Sequence, residues 1–266
     1  MKLTIGLAQM DVLLGQPEAN LATVSRLAAE AAASGVEWLV LPELWSTGYD
    51  LDRADKYATP IESGIFAEVG RLAKQHGLYI LGSCLARLPG NGVGNTAVFH
   101  TPSGDILGHY SKTHLFQLMD EHHYLTAGDK LTLVKWPWGQ VGLTICYDLR
   151  FPELFRAYAL AGANLIVVPA EWPKPRLAHW RTLLRARAIE NQLYIVACNR
   201  VGTSKGTTFF GYSTIIDPWG ETAVEGGETA ELLTATIDLD LVDQVRAKIP
   251  VFVDRRPLLY NHLTDS

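Results

Sequence analysis

The chain has 266 residues, 48% of them apolar and 19% charged, and carries a net charge of −5 with no uninterrupted apolar run of about 20 residues. This predicts a soluble globular protein with ample core material rather than a membrane-spanning bundle, and the lack of a long Lys/Arg run argues against a nucleic-acid groove. Cys84, Cys146 and Cys198 are too widely spaced for a disulfide framework or a C-x-x-C motif, so free thiols are expected.

Residues 3–9 predict a first strand without the cleavage pattern of a secretory signal, and a cytoplasmic protein is therefore expected. A helix over about 18–34 stops at Gly35, and residues 37–41 follow as a short buried strand. A second helix, 61–76, stops at Gly77 and leads into a strand over 78–85. Residues 95–136 read as successive antiparallel strands: 96–100, a turn at 101–104, 106–110, and later 131–136. The segment 90–94 is a hairpin turn rather than a phosphate cradle, because no helix start follows it.

Beyond residue 140 the chain alternates: a strand ending at Cys146, a helix 152–161, a strand 165–169, a helix of about 177–191 and a strand 194–198. Strands over 208–217 and 230–237 complete the pattern. Arg181, Arg185 and Arg187 recur along the 177–191 helix and predict a partly solvated face. With no linker or low-complexity segment, residues 1–266 are expected to form one α/β domain of mixed sheets with helices outside.

Three ionisable residues lie just past buried strands, where loops of α/β folds gather their sites. They are Glu43 after Leu39-Val40-Leu41-Pro42, Lys112 after 106–110, and Cys146 after the alternating Val141, Leu143 and Ile145. Phe151-Pro152 announces a helix just downstream, and a helix end near Cys146 favours a thiolate. A carboxylate that takes the thiol proton, a thiolate that attacks carbon and an ammonium that steadies an oxyanion make a complete set. Each residue alone reads equally as a loop charge, a surface lysine or a small core thiol.

At these residues the chain resembles the carbon-nitrogen hydrolases of the nitrilase superfamily. Leu41-Pro42-Glu43, the segment Tyr110 to Leu115, and Cys146-Tyr147-Asp148-Leu149-Arg150-Phe151-Pro152-Glu153 are similar to its three signature blocks, in the same order. The resemblance implies a four-layer αββα sandwich, with Glu43 as general base, Lys112 as oxyanion partner and Cys146 as nucleophile. It further implies Glu121 as a second glutamate of the same pocket, orienting Lys112 or relaying protons. The backbone N–H of Tyr147 is expected to join Lys112 at the oxyanion. Neither metal nor organic cofactor is expected: His114, His122 and His123 lack the spacing of a structural zinc site, and adjacent His side chains on a regular element point apart.

The segments around Glu171-Trp172-Pro173, His179-Trp180-Arg181 and Asn199-Arg200-Val201-Gly202 are most similar to the ω-amidase branch, which hydrolyses 2-oxo acid amides such as 2-oxoglutaramate. Such a likeness fixes reaction class better than substrate, and a nitrilase, an N-carbamoyl amino acid amidohydrolase or an inactive scaffold stay open. A carboxylate-bearing substrate needs a cationic clamp, for which Arg150 and then Arg176 are candidates; Arg150 could instead hold Asp148 or Glu153. Trp172 is the expected pocket wall. The Pro-punctuated, apolar segment 249–266 predicts an extended tail at a subunit contact. The expected partners are a small amide and a second copy of the chain, in a homodimer or larger homo-oligomer, with neither nucleic acid nor membrane.

Overall fold

The computed structural model describes residues 1–261. The first half contains β1 (Lys2–Gln9), α1 (Pro17–Ala33), β2 (Trp38–Val40), α2 (Ala54–Tyr57), α3 (Gly64–His76), β3 (Tyr79–Arg87), β4 (Val93–His100), β5 (Ile106–Ser111) and α4 (Glu121–Tyr124). The middle supplies β6 (Leu133–Trp136), β7 (Gly139–Leu143), α5 (Pro152–Leu160), β8 (Leu165–Ala170), α6 (Leu177–Asn191) and β9 (Tyr194–Asn199). Then come β10 (Val201–Ser204), β11 (Thr207–Phe210), β12 (Thr214–Ile216), β13 (Thr222–Glu225), β14 (Glu231–Asp238), α7 (Asp240–Lys248), α8 (Val251–Asp254) and α9 (Pro257–Asn261).

Two six-stranded sheets form, ordered β14-β1-β2-β3-β4-β5 and β13-β12-β9-β8-β7-β6. In each, three central strands run parallel and the flanking strands are antiparallel. Alternation along the strands assigns the layers. Leu3, Ile5, Leu7, Trp38, Val40, Leu81, Ala97 and Phe99 turn inward to meet Val141, Leu143 and Val167 of the second sheet. Leu39, Ile80, Cys84 and Val98 turn outward beneath Val24, Leu27, Phe66 and Leu72 of α1 and α3. Helices α5 and α6 cover the outer face of the second sheet. The expected αββα sandwich is therefore present.

Several expectations need correction. The strand read over 208–217 is two strands, β11 and β12, because Gly211 and Tyr212 take φ of 76° and 51° and turn the chain from the β10–β11 hairpin into the second sheet. The antiparallel run over 95–136 also divides: β5 pairs with β4, whereas β6 pairs with β7. The tail is not extended but folds into α8 and α9, and its last residues, 262–266, lie outside the described residues. Arg187 is not on a solvated face. Its guanidinium is buried, donates to the Leu149 carbonyl from Nε (3.2 Å) and Nη2 (3.0 Å), and lies 5.5 Å from the Phe155 ring centroid.

Strand direction positions the site. β2, β3 and β5 run one way in the first sheet, and β7 and β8 run together in the second. Glu43, Lys112, Cys146 and Glu171 each follow the C-terminal end of one of these strands, which is where such sheets leave room for loops and ligands.

Candidate active site

Three residues expected to act together are buried together with a fourth. Glu43, Lys112 and Glu121 are each 0% exposed, and Cys146 is 5% exposed. The Lys112 ammonium donates to Glu43 Oε1 (2.8 Å) and Glu121 Oε1 (2.6 Å), and its third direction reaches the Tyr49 hydroxyl at 3.4 Å. Tyr49 in turn donates toward the same two oxygens, at 3.0 Å to Glu43 and 2.6 Å to Glu121. Asn95 Nδ2 donates to Glu43 Oε1 at 2.8 Å, the Glu171 backbone N–H donates to Glu43 Oε2 at 2.9 Å, and the Phe116 N–H donates to Glu121 Oε2 at 2.6 Å. Every carboxylate oxygen of the pair thus has a donor, which is the condition for burying charge without a prohibitive desolvation cost.

Backbone geometry brings these side chains to their places. Ile145 is extended, Cys146 takes φ of 47°, and a 3-10 turn runs over Cys146–Arg150 before α5 starts at Pro152. A left-handed conformation is costly for a residue bearing a Cβ, so it is held by its surroundings. Here the holding group is Asp148. Its Oδ2 accepts from the Ile145 N–H (2.9 Å) and the Tyr110 hydroxyl (2.8 Å), and its Oδ1 pairs with His114 Nδ1 (2.7 Å). Leu44, directly after Glu43, and Asp120, directly before Glu121, are also left-handed, at φ of 41° and 58°. Backbone strain is thereby concentrated around the acidic and thiol groups.

The electrostatics correct one expectation. Cys146 opens a five-residue 3-10 turn rather than a full helix, and its thiol is pushed well above the ordinary range by burial, with the Glu43 carboxylate adding and Lys112 opposing. Removing its proton therefore calls for a base at the moment of attack. Burial works against the Lys112 ammonium, but Glu121 and Glu43 outweigh it and hold its pKa well above the lysine value. Glu121 is raised by burial against the lowering effect of Lys112, and Tyr49 is raised by burial and by both carboxylates. These groups titrate as a coupled unit.

A narrow cleft opens onto Cys146 and is lined by Phe116, Tyr147, Arg150, Glu171, Trp172, Pro173 and Arg176. The Arg150 guanidinium lies 4.8 Å from the Trp172 ring centroid and 3.3 Å from His179 Nδ1, and Arg176 lies 5.6 Å from the Phe116 centroid. Among the described residues neither arginine forms an ion pair with a carboxylate. Asp148 is occupied by Tyr110, His114 and the Ile145 N–H, so the alternative of Arg150 as its structural partner is not realised. His122 and His123 are exposed with ring centroids 3.8 Å apart, side by side rather than pointing apart.

Sequence reasoning missed Tyr49, Asn95 and Asp148 as site residues, and it used Glu171 only as a family marker. For Glu171 a signal was present, since it follows β8 as Glu43 follows β2. Tyr49 and Asn95 carry no local signal. Cys84 and Cys198 are free thiols, as expected, and are buried in the two cores.

Comparison with known proteins agrees with this geometry. The family profile described as carbon-nitrogen hydrolase matches residues 4–247. A 2-oxoglutaramate amidase of Bacillus subtilis (strain 168) is 42% identical over 260 residues, spanning 98% of this chain and 100% of that protein. An omega-amidase of Xenopus tropicalis is 32% identical over 251 residues, 91% of each chain. The crystal structure of a CN-hydrolase superfamily protein from Xanthomonas campestris, described with an arsenic adduct in its active site, superposes with a TM-score of 0.89 at 32% identity, covering 96% of this chain and 98% of that one. With its fold, its strand-end cysteine and its sequence all in agreement, this chain belongs to the carbon-nitrogen hydrolase family, as an amidase acting on carbon-nitrogen bonds other than peptide bonds.

Proposed function

We propose that the chain hydrolyses the terminal amide of a small carboxylate-bearing substrate, a 2-oxo acid ω-amide such as 2-oxoglutaramate, to the acid and ammonia. The observation that carries this reading is the Cys146 cavity itself: a fully hydrogen-bonded Glu43–Lys112–Glu121 cluster borders the thiol, and two arginines without carboxylate partners line the same space. The 2-oxoglutaramate amidase and omega-amidase names of the relatives support the same substrate class.

Glu43 accepts the Cys146 proton as Sγ forms a bond to the amide carbon. The carbonyl electrons move to oxygen, and the resulting oxyanion accepts hydrogen bonds from the Lys112 N–H that reaches only 3.4 Å toward Tyr49 and from the Tyr147 backbone N–H. Collapse breaks the C–N bond, the proton on Glu43 passes to the leaving nitrogen, and ammonia departs from a thioester on Cys146. Water, deprotonated by Glu43 or Glu121, then attacks the thioester. Its collapse releases the acid and returns a proton to Sγ. Arg150 and Arg176 hold the substrate carboxylate, and Trp172 forms the wall against its chain. No step calls for a metal or an organic cofactor.

We extend the proposal to a single hydrolase domain over residues 1–266, acting in the cytoplasm as a homodimer or larger homo-oligomer. Among the described residues no helix is long and apolar enough to cross a membrane.

The test offers purified protein a panel of 2-oxo acid ω-amides, uncharged amides, N-carbamoyl amino acids and nitriles, with ammonia release followed for wild type and Cys146→Ala. The expected outcome is preference for the 2-oxo acid amides and a loss of at least about a thousandfold in the variant. Turnover retained without Cys146 refutes the mechanism. Equal turnover of the uncharged amides refutes the carboxylate clamp.

A further inference from the structure

Asn95 touches two residues of the catalytic cluster at once. It is buried, and its Nδ2 donates to Glu43 Oε1 at 2.8 Å. Its backbone carbonyl, on β4, accepts the Lys112 N–H at 2.9 Å. The base and the lysine, 69 residues apart in the chain, are thus joined through one residue as well as by their own ion pair. Asn95 Oδ1 is buried with no hydrogen-bond partner among the described residues. Turning the amide over would set Oδ1 against the Glu43 carboxylate, acceptor facing acceptor, so Glu43 dictates the orientation and Oδ1 stays unpaired.

A carboxylate oxygen offers two lone pairs. On Glu43 Oε1 they are taken by Lys112 (2.8 Å) and Asn95 (2.8 Å), while the single Tyr49 hydroxyl proton lies nearer to Glu121 (2.6 Å) than to Glu43 (3.0 Å). On Oε2 one is taken, by the Glu171 N–H at 2.9 Å. The lone pair left to act as a base is therefore on Oε2. The last torsion of a glutamate is soft, and without Asn95 a lone pair of Oε1 would compete for the proton. We propose that Asn95 is a positioning residue for proton transfer: its side-chain amide holds Glu43 so that Oε2 takes the Cys146 proton, while its backbone carbonyl keeps Lys112 in register with that base. This rests on the amidase reading above and names the group that orients its general base.

Two substitutions separate this role from a merely structural one, because neither removes the backbone bond to Lys112. Asn95→Leu keeps the side-chain volume and removes the donor together with the unpaired acceptor. Asn95→Asp restores a donor only while the new carboxyl is protonated, and burial beside the Glu43 carboxylate favours that form. The charged and titratable groups around Glu43 are Lys112, Tyr49, Glu121 and Cys146, with Glu171 behind its own N–H. All of them are present in both variants, so the difference between the variants reports the restored donor.

The experiment measures kcat and KM for 2-oxoglutaramate, and the rate of Cys146 alkylation by iodoacetamide, for wild type, Asn95→Leu and Asn95→Asp between about pH 6 and pH 9. Asn95→Leu is expected to lower kcat about a hundredfold with KM within about twofold of wild type, and to slow alkylation, which needs the base but no substrate. Asn95→Asp is expected to exceed Asn95→Leu in kcat at least about tenfold at the acid end, with the advantage shrinking as pH rises and the donor is lost. A folded Asn95→Leu enzyme with wild-type kcat, or one in which KM rises and alkylation is unchanged, overturns the proposal. So does an Asn95→Asp enzyme no faster than Asn95→Leu at the acid end. If Asn95→Leu does not fold, Asn95→Asp still decides: activity relative to wild type as low at the acid end as at the alkaline end overturns the proposal. Wild-type enzyme inert toward the amide defeats the amidase reading itself, and the alkylation rates then still judge the role of Asn95.

Discussion

Lys112 is fully buried between two carboxylates, and that arrangement ties catalysis to stability at a single side chain. Removing the cation leaves Glu43 and Glu121 buried and uncompensated, a change that typically costs about 3–5 kcal/mol. Lys112→Met is therefore expected to lower both activity and melting temperature. Its stability carries a pH signature. Burial already raises Glu121 against the lowering effect of Lys112, and losing the lysine raises it further. A carboxyl whose folded pKa exceeds its unfolded value contributes stability that is complete below the unfolded pKa and is lost as pH rises through the folded one. The melting-temperature gap between Lys112→Met and wild type should thus be widest at pH 8 and shrink toward pH 5. A gap independent of pH would mean that the two carboxylates are not charged partners of Lys112.

At the scale of elements, the catalytic turn is held from two sides. Asp148 ties its front to β5 and the following loop through Tyr110 and His114, and Arg187 on α6 ties its back through the Leu149 carbonyl. The sequence placed Arg187 on a helix but gave no reason to turn it inward. Helical periodicity specifies which residues share a face, whereas the groove between α6 and the turn exists only after α5 and α6 pack on the second sheet. Arg187→Met keeps much of the side-chain volume but leaves the carbonyl without its donors, a loss of about 1–3 kcal/mol. The expected result is a melting temperature lower by several degrees and a kcat reduced about ten- to a hundredfold, with Cys146 alkylated at a different rate by iodoacetamide. Unchanged alkylation and kcat would show that the turn holds its shape without α6.

For the whole molecule, the C-terminal segment is the least satisfied surface among the described residues. Ile249, Val253, Leu258, Leu259 and Tyr260 are all exposed, with Val253 at 83% and Leu258 at 79%. Apolar side chains concentrated on two short helices fit the proposed contact with a second copy. Val253→Glu with Leu258→Glu is expected to shift the sedimentation coefficient to that of a monomer while leaving the Cys146 cavity intact. A wild-type chain that sediments as a monomer would refute the proposed self-association, and a double variant that still self-associates would place the subunit contact elsewhere.

The sequence alone determined an α/β domain of mixed sheets with helices outside and the ionisable residues at its strand ends, because alternation, helix stops and the position of Glu43, Lys112 and Cys146 just past buried strands are properties of neighbouring residues, whereas the four-layer arrangement was implied by the family resemblance. It also carried the β8 end that places Glu171, although that residue's chemistry was not legible there. The tertiary structure decided which groups meet. Asn95 and the Glu171 N–H reach Glu43 from 52 and 128 residues away, and Tyr49 reaches Glu121 from 72. It also decided that burial and Glu43 outweigh Lys112 at Cys146 and push its thiol above the ordinary range. Periodicity assigns a residue to a face; only the packing of one sheet on the other brings distant strand ends into one water-excluded space, where charge, donor and acceptor acquire their chemical roles.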